Sequence, residues 1–140
     1  MPADIAGGKP DFSVVIPLYN KARSIGRTVD SVLEQDFTNF ELIVVNDGSS
    51  DGSAEIVAAK DDARLCLVYQ ANAGVSKARN AGVERARADT VAFLDADDQW
   101  NTTYLSTIRR LIQDFPQAGI YATGYVTVNA TGRHVSAASA

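Results

Sequence analysis

Three carboxylates follow directly after a short apolar run in the second half of the chain. Residues 90–94 are rich in β-branched and aromatic side chains, which is typical of a buried strand. Asp95, Asp97 and Asp98 come next, and such charges do not belong in a core. Ligands of open parallel sheets bind beyond the carboxyl ends of the strands. If the chain stays extended there, Asp95 and Asp97 share one face about 6.5–7 Å apart, which suits a divalent cation and its ligand.

The rest of the sequence alternates between candidate strands and helices. The apolar patterns predict strands over 12–16, 41–46, 65–69 and 90–94, and helices over 22–35, 53–59, 75–87 and from 101 or 102 to 115. Pro17 is expected to close the first strand, and a fifth, alternating strand is predicted over 119–128. These β-α units predict a doubly wound α/β fold, with a mostly parallel sheet and helices on both faces.

The composition limits the classes of function that the chain can have. It has 140 residues and a net charge of −4, without a run of Lys and Arg, which disfavours nucleic-acid and membrane-surface partners. No apolar stretch approaches the roughly 20 residues of a membrane span, and a secretory signal is absent, so a cytoplasmic protein is expected. Cys66 and His134 are the single residues of their types, which disfavours disulfides and histidine-based metal sites.

The first two loops that leave the predicted strands carry residues able to contact a nucleoside. Tyr19 offers a flat face for stacking and Pro17 leaves backbone groups free, although a routine strand-to-helix turn also explains both residues. Asp47 can accept two hydrogen bonds from a base or ribose. Asp51, in the same loop, is more typical of a helix cap than of a ligand contact.

The third loop supplies positive charge. Gly74 precedes a helix whose free N–H groups could meet an anion, and Lys77 and Arg79 are the cations expected near the crevice. An acidic cluster repels an anionic ligand unless a cation lies between them. Mg²⁺ and Mn²⁺ bind through one or two carboxylates while substrate phosphates fill other positions. Together, the four loops predict a site for a metal-bridged nucleoside diphosphate.

Four segments of the sequence form a pattern that is specific when taken together. They are residues 14–20 (VVIPLYN), 42–52 (LIVVNDGSSDG), 74–80 (GVSKARN) and 93–98 (FLDADD). In this order they resemble family 2 of the inverting glycosyltransferases, and the match covers about residues 12–129. The resemblance implies a Rossmann-like GT-A fold, a nucleotide-sugar donor that is UDP-linked, a Mn²⁺ or Mg²⁺ cofactor, and a glycan or other hydroxyl acceptor.

The resemblance also implies roles for the matching positions. The nucleotide-sugar site would comprise Pro17, Tyr19, Asp47, Arg79, Asp95 and Asp97. Tyr19 would stack on the uracil beside Pro17, and Asp47 would bind the base. Arg79 would lie near the base and phosphates, and Asp95 would contact the ribose. The last Asp of the D-x-D motif, at position 97, would ligate the metal ion.

One departure from the family pattern concerns the acceptor. Family members continue into an acceptor-binding half, which supplies a carboxylate general base. Here no Asp or Glu follows Asp114, so the sequence predicts a donor-binding part, truncated before that half and inactive alone. We predict one nucleotide-sugar-binding domain over 12–129, a flexible lead-in at 1–11 and a loose tail at 130–140. Any association with a membrane would be a property of the full-length protein, which includes the acceptor-binding half.

The truncation also predicts exposed apolar surface and self-association. Without the acceptor-binding half, the candidates for exposure near the fifth strand are Ile120, Tyr121, Val126 and Val128. An uncovered strand edge pairs readily with another chain. A homodimer through this exposed edge is therefore a further prediction.

Two other enzyme classes and one non-enzymatic role compete with this interpretation. A haloacid-dehalogenase-type, metal-dependent phosphatase also carries D-x-D at a strand end, but there the motif follows the first strand. A Rossmann dehydrogenase needs Gly-x-Gly-x-x-Gly in its first turn, and residues 17–22 lack that pattern. A non-catalytic fragment that binds a nucleotide or a partner chain remains the main alternative.

Overall fold

The computed structural model describes residues 8–129 and 132–136. Its elements are β1 (Phe12–Leu18), α1 (Ile25–Leu33), β2 (Phe40–Asn46), α2 (Ser53–Ala58), β3 (Leu65–Tyr69), α3 (Val75–Arg85), β4 (Thr90–Phe93), α4 (Tyr104–Asp114), β5 (Tyr125–Asn129) and β6 (Gly132–Ser136). The chain divides into two compact units, Met1–Tyr104 and Leu105–Ala140. The predicted lead-in at 1–11 and tail at 130–140 lie partly outside the described residues.

The first unit is built around a parallel sheet of four strands in the order β3-β2-β1-β4. β1 pairs with β2 from Phe12 opposite Phe40 to Leu18 opposite Asn46, and its first half also pairs with β4. Every residue of β1 and β2 is buried, so both faces of the sheet are covered there. This burial explains why the two strands read as continuous apolar runs. The predicted parallel α/β fold is confirmed.

The expectation that Pro17 closes the first strand is wrong, because β1 continues to Leu18. The Val15 carbonyl accepts a hydrogen bond from the Leu94 N–H (3.1 Å), on the side that faces β4. Pro17 lies two residues further along the strand, so its backbone nitrogen faces the same side as the Val15 carbonyl. At that position β4 has already ended. The missing N–H of proline therefore removes no bond from the sheet.

In the second unit, the strand predicted over 119–128 is shorter and starts later than expected. Residues 119–124 are not in a strand, and β5 pairs antiparallel with β6 in a separate two-stranded sheet. The apolar pattern of the sequence did not indicate β6. An alternating pattern reports a half-buried strand but not the strand with which it pairs, so it cannot assign a strand to one sheet or another.

The apolar side chains near β5 are largely exposed, as expected from the sequence. Ile120, Val126 and Val128 are exposed. Tyr121 is half-buried instead, and its hydroxyl donates a hydrogen bond to the Phe115 carbonyl (2.6 Å). The homodimer through this edge stays a prediction. Among the described residues, no helix has the length and apolar character needed to cross a membrane.

Helix α3 approaches β1 closely at Gly82. A Cβ atom at this position would lie 2.3 Å from Cγ1 of Val15, which is fully buried. Gly82→Ala is therefore expected to lower the free energy of unfolding by about 1–3 kcal/mol, because core overpacking outweighs the better helix propensity of alanine. Urea denaturation measures this change.

Gly26 in α1 provides a matched control for that substitution. A Cβ atom at Gly26 would meet Cγ2 of Ile56 at 3.5 Å, an ordinary van der Waals distance. Gly26→Ala is expected to leave stability unchanged or to raise it by up to about 1 kcal/mol. Equal shifts in the two variants would contradict the close packing of α3 on β1.

Candidate functional site

The loops that follow β1, β2 and β4, together with the start of α3, surround a cleft at the carboxyl end of the parallel sheet. The cleft has a volume of about 470 Å³. Its lining includes all six residues proposed from the sequence, namely Pro17, Tyr19, Asp47, Arg79, Asp95 and Asp97. The parallel topology brings them together although they are spread over much of the chain. Their individual roles in binding stay predictions.

Asp47 follows β2 and is nearly fully buried, with 2% of its surface exposed. Its Oδ1 accepts hydrogen bonds from Gln70 Nε2 and the Ala73 N–H (both 2.8 Å), and its Oδ2 accepts one from the Gly74 N–H (2.9 Å). Burial raises the pKa of Asp47, but these three hydrogen bonds outweigh it and hold the pKa below its ordinary value. The charged carboxylate therefore fixes the 70–74 loop, a role that the sequence pattern did not indicate.

Gly48 allows the same loop to approach β2 closely. Its φ is +76°, and a Cβ there would lie 3.0 Å from the backbone nitrogen of Asn72. The Asn72 side chain in turn donates a hydrogen bond to the Asp47 carbonyl (3.0 Å). A side chain at position 48 would push the 70–74 loop away from the cleft.

The loop after β1 is joined to the loop after β2 by short polar contacts. Asn20 has a φ of 48° and accepts a hydrogen bond from the Ser50 N–H through its side-chain oxygen (2.8 Å). Asp51 accepts hydrogen bonds from the N–H groups of Ala22 and Ser53, both at 3.0 Å. Asp51 thus holds the start of α2 from the position before the N-cap residue Gly52, rather than as the helix cap expected from the sequence.

The acidic residues after β4 lie on a turn. The Asp98 N–H donates a hydrogen bond to the Asp95 carbonyl (3.0 Å), so the extended geometry assumed past this strand is not adopted. The Ala96 carbonyl accepts hydrogen bonds from the hydroxyls of Ser24 and Thr28, each at 2.9 Å. Helix α1 and the residue before it therefore anchor the acidic turn, a support that the sequence did not reveal.

Two cations face the carboxylates of this turn across the cleft. The Arg79 guanidinium lies 2.8 Å from an oxygen of Asp95, and the Lys21 ammonium lies 3.2 Å from Oδ2 of Asp97. Partial burial raises the pKa of the third carboxyl, Asp98, and the negative charges of Asp97 and Asp95 raise it further. The turn therefore brings three carboxylates together with two cations.

The prediction of which cations lie near the cleft is only partly correct. Lys21 lines the cleft and was missed, whereas Lys77 is exposed and does not line it. Lys77 and Arg79 are two residues apart on α3, and side chains at that spacing point to different sides of a helix. No sequence signal marked Lys21, because its proximity to Asp97 depends on the sheet order.

The acidic turn has the donor chemistry that a divalent cation requires. Within residues 8–129 and 132–136, no three His, Cys, Asp or Glu side chains are arranged to hold a metal ion by themselves. Mg²⁺ and Mn²⁺ bind hard oxygen ligands, and Mg²⁺ typically uses one or two carboxylates with substrate phosphates. The residues present therefore fit an ion that substrate oxygens complete.

Comparison with known proteins decides the family. The sequence matches the family described as Glycosyl transferase family 2 over residues 13–137. The chain belongs to this family. In the structure, the D-x-D motif follows β4 rather than β1, which argues against the phosphatase alternative.

Curated relatives of this family 2 chain are longer and are named glycosyltransferases. The chain is 44% identical over 91 residues to the uncharacterized glycosyltransferase EpsJ of Bacillus subtilis (strain 168), which covers 64% of this chain and 26% of EpsJ. It is 36% identical over 120 residues to glycosyltransferase GlyA of Streptococcus pneumoniae serotype 4, which covers 84% of this chain and 17% of GlyA. The chain thus spans about a quarter of EpsJ and less of GlyA.

Solved structures of similar fold confirm the GT-A architecture. S. aureus TarS 1-349 in complex with UDP-GlcNAc has a TM-score of 0.72 and 28% identity, over 81% of this chain and 37% of TarS. The mannosyltransferase PcManGT from Pyrobaculum calidifontis, in complex with GDP-Man and Mn²⁺, has a TM-score of 0.68 and 26% identity. That match covers 84% of this chain and 35% of PcManGT.

Proposed function

We propose that this chain binds the donor nucleotide sugar of a glycosyltransferase in the cleft at the carboxyl end of its parallel sheet. The observation that supports this best is the meeting of an aromatic face, a buried carboxylate, two cations and an acidic turn around one cleft of a family 2 domain. The complexes of TarS with UDP-GlcNAc and of PcManGT with GDP-Man and Mn²⁺ support a nucleoside diphosphate sugar as the ligand class.

The base would bind at the Tyr19 and Asp47 end of the cleft. Tyr19 is half-exposed and lines the cleft beside Pro17, so its ring is available for stacking on uracil. A carboxylate has about four acceptor positions, and Asp47 already uses three of them. Asp47 therefore has room for one hydrogen bond from a base N–H, rather than the two expected from the sequence.

The ribose and the diphosphate would bind at the acidic turn. Asp95 would contact the ribose, and Arg79, which now pairs with Asp95, would lie near the phosphates. Asp97 would hold Mn²⁺ or Mg²⁺. When bound, this ion would neutralise the diphosphate as it departs from the sugar.

We further propose inverting transfer, by in-line attack of a glycan or other hydroxyl acceptor. Each of the cleft-lining carboxylates already has a hydrogen-bond or ion-pair partner, which disfavours all three as the general base: Asp47, Asp95 and Asp97. The 140-residue chain is therefore expected to bind the donor and to transfer little sugar by itself. The non-catalytic alternative predicts the absence of transfer in the longer protein as well.

Calorimetric titration with UDP, GDP and dTDP, with and without Mn²⁺, tests the proposed site. UDP is expected to bind more tightly than GDP and dTDP. Its full affinity is expected only in the presence of Mn²⁺. Asp97→Ala is expected to weaken Mn²⁺-dependent UDP binding by about 1.4 kcal/mol or more, which is tenfold, because the ion loses its protein ligand. Binding that ignores both Mn²⁺ and this substitution would contradict the assignment.

Asp89 offers a matched control for Asp97. It precedes β4 at the opposite end of the strand, its side chain is 90% exposed, and it pairs with Lys9 (2.6 Å). Asp89→Asn removes an exposed carboxylate without touching the cleft. We expect this variant to bind UDP and Mn²⁺ as the unmodified chain does.

A further inference from the structure

We propose that Lys21 is the resident counter-ion of Asp97, displaced by the divalent cation and then available to the diphosphate. This inference rests on the proposed function, since it concerns the same cleft. It assigns to Lys21 a positioning role that neither the sequence pattern nor the comparisons indicate. The ion pair between Lys21 Nζ and Asp97 Oδ2 (3.2 Å) is the observation from which it starts.

The backbone of Lys21 is held by hydrogen bonds, whereas its side chain reaches into the cleft. Its N–H donates a hydrogen bond to Ser53 Oγ (2.9 Å), and its carbonyl accepts hydrogen bonds from the N–H groups of Ser24 (3.0 Å) and Ile25 (2.8 Å). The lysine side chain is 46% exposed and lines the cleft. A fixed backbone with a long, flexible stem lets the ammonium exchange one anionic partner for another without movement of the loop.

The ammonium and a divalent cation would compete for the same carboxylate. Asp97 would be the metal ligand, and in this structure its Oδ2 faces Lys21. Half-exposed ion pairs contribute little to stability, so a divalent ion displaces the lysine easily. The displaced ammonium remains in the cleft, where the phosphates of the nucleotide would provide a new anionic partner.

This exchange predicts opposite effects on two binding reactions when Lys21 is replaced by Gln. Mn²⁺ alone is expected to bind about two- to fivefold more tightly, because its competitor for Asp97 is gone. UDP in saturating Mn²⁺ is expected to bind about two- to fivefold more weakly, because the phosphates lose an ammonium. If the lysine only supported the loop, its replacement would not change the affinities for Mn²⁺ and for UDP in opposite directions.

The experiment measures both reactions on the 140-residue chain. Free Mn²⁺ is followed by electron paramagnetic resonance, and UDP binding is followed by calorimetry, for the unmodified chain and for Lys21→Gln. Lys77→Gln is the control, because Lys77 is an exposed lysine that does not line the cleft. It is expected to leave both affinities unchanged.

The outcomes separate this inference from the proposed function. Tighter Mn²⁺ binding together with weaker UDP binding in Lys21→Gln supports the counter-ion exchange. Unchanged affinities, or changes of the same sign, overturn it even if the unmodified chain binds UDP with Mn²⁺. If the unmodified chain does not bind UDP with Mn²⁺, the proposed function fails, and so does the part of the exchange that concerns the diphosphate. Tighter binding of Mn²⁺ alone by Lys21→Gln would in that case still show that the lysine and the metal ion compete for Asp97.

Discussion

Replacement of Asp47 by Ala is expected to abolish measurable UDP binding and to lower the free energy of unfolding by about 2–3 kcal/mol. The carboxylate accepts hydrogen bonds from Gln70, Ala73 and Gly74, and all three donors lose their partner in this variant. The 70–74 loop, which contributes Asn72 and Gly74 to the cleft, then loses its anchor. Urea denaturation and calorimetric titration with UDP and Mn²⁺ measure the two effects.

Asp47→Asn separates the charge of this side chain from its size. Asparagine keeps the volume but replaces one carboxylate oxygen with an NH₂ group, which is a donor only. Because both oxygens of Asp47 accept hydrogen bonds, the amide would face a donor on one side in either orientation. We expect Asn to keep most of the defect of Ala. Normal stability and normal UDP binding in Asp47→Asn would contradict this account.

Replacement of Glu41 by Ala is expected to lower the free energy of unfolding by about 2–4 kcal/mol without changing UDP affinity. Glu41 is 5% exposed and lies near the start of β2. Its Oε1 accepts hydrogen bonds from Ser13 Oγ (2.6 Å) and the Arg87 N–H (2.7 Å), and its Oε2 accepts one from Arg87 Nε (2.8 Å). Its distance from Asp47 is about 20 Å along an extended strand, so nucleotide contacts are preserved.

The contribution of Glu41 is also expected to depend on pH. Burial raises its pKa, but the hydrogen bonds from Ser13 and Arg87 and the charge of Arg87 outweigh burial and leave the pKa below its ordinary value. A carboxyl with a lowered pKa stabilises the fold above its unfolded pKa of about 4.3, and this contribution is lost as pH falls through the folded pKa. The stability difference between the unmodified chain and Glu41→Gln should therefore shrink below about pH 4.

Urea denaturation at a series of pH values measures this dependence. Asp89→Asn again serves as the control, because Asp89 pairs with Lys9 at an exposed site where little stability is expected. A stability difference for Glu41→Gln that stays constant as pH falls from neutral to acid would contradict the role of the charge. Weaker UDP binding in Glu41→Ala would show that the two ends of β2 are not independent.

The sequence by itself determined the four strands of the parallel sheet, the class of that sheet and the end of it where the site lies. Continuous apolar runs marked β1 and β2 because both faces of a parallel sheet are buried. Parallel strands place their following loops at one edge, so Tyr19, Asp47 and the acidic turn were expected to meet. These inferences rest on local patterns and on a topology rule, for which no knowledge of individual contacts is needed.

The tertiary structure alone decided which charges face each other and which groups hold the site in place. Lys21 meets Asp97 although 76 residues separate them, and the hydroxyl of Thr28 holds the acidic turn through the Ala96 carbonyl. Asp47 accepts hydrogen bonds from the backbone of the 70–74 loop. Such pairings depend on strand order, register and turn geometry. A sequence pattern specifies the face on which a side chain lies, but only the assembled sheet determines its partner.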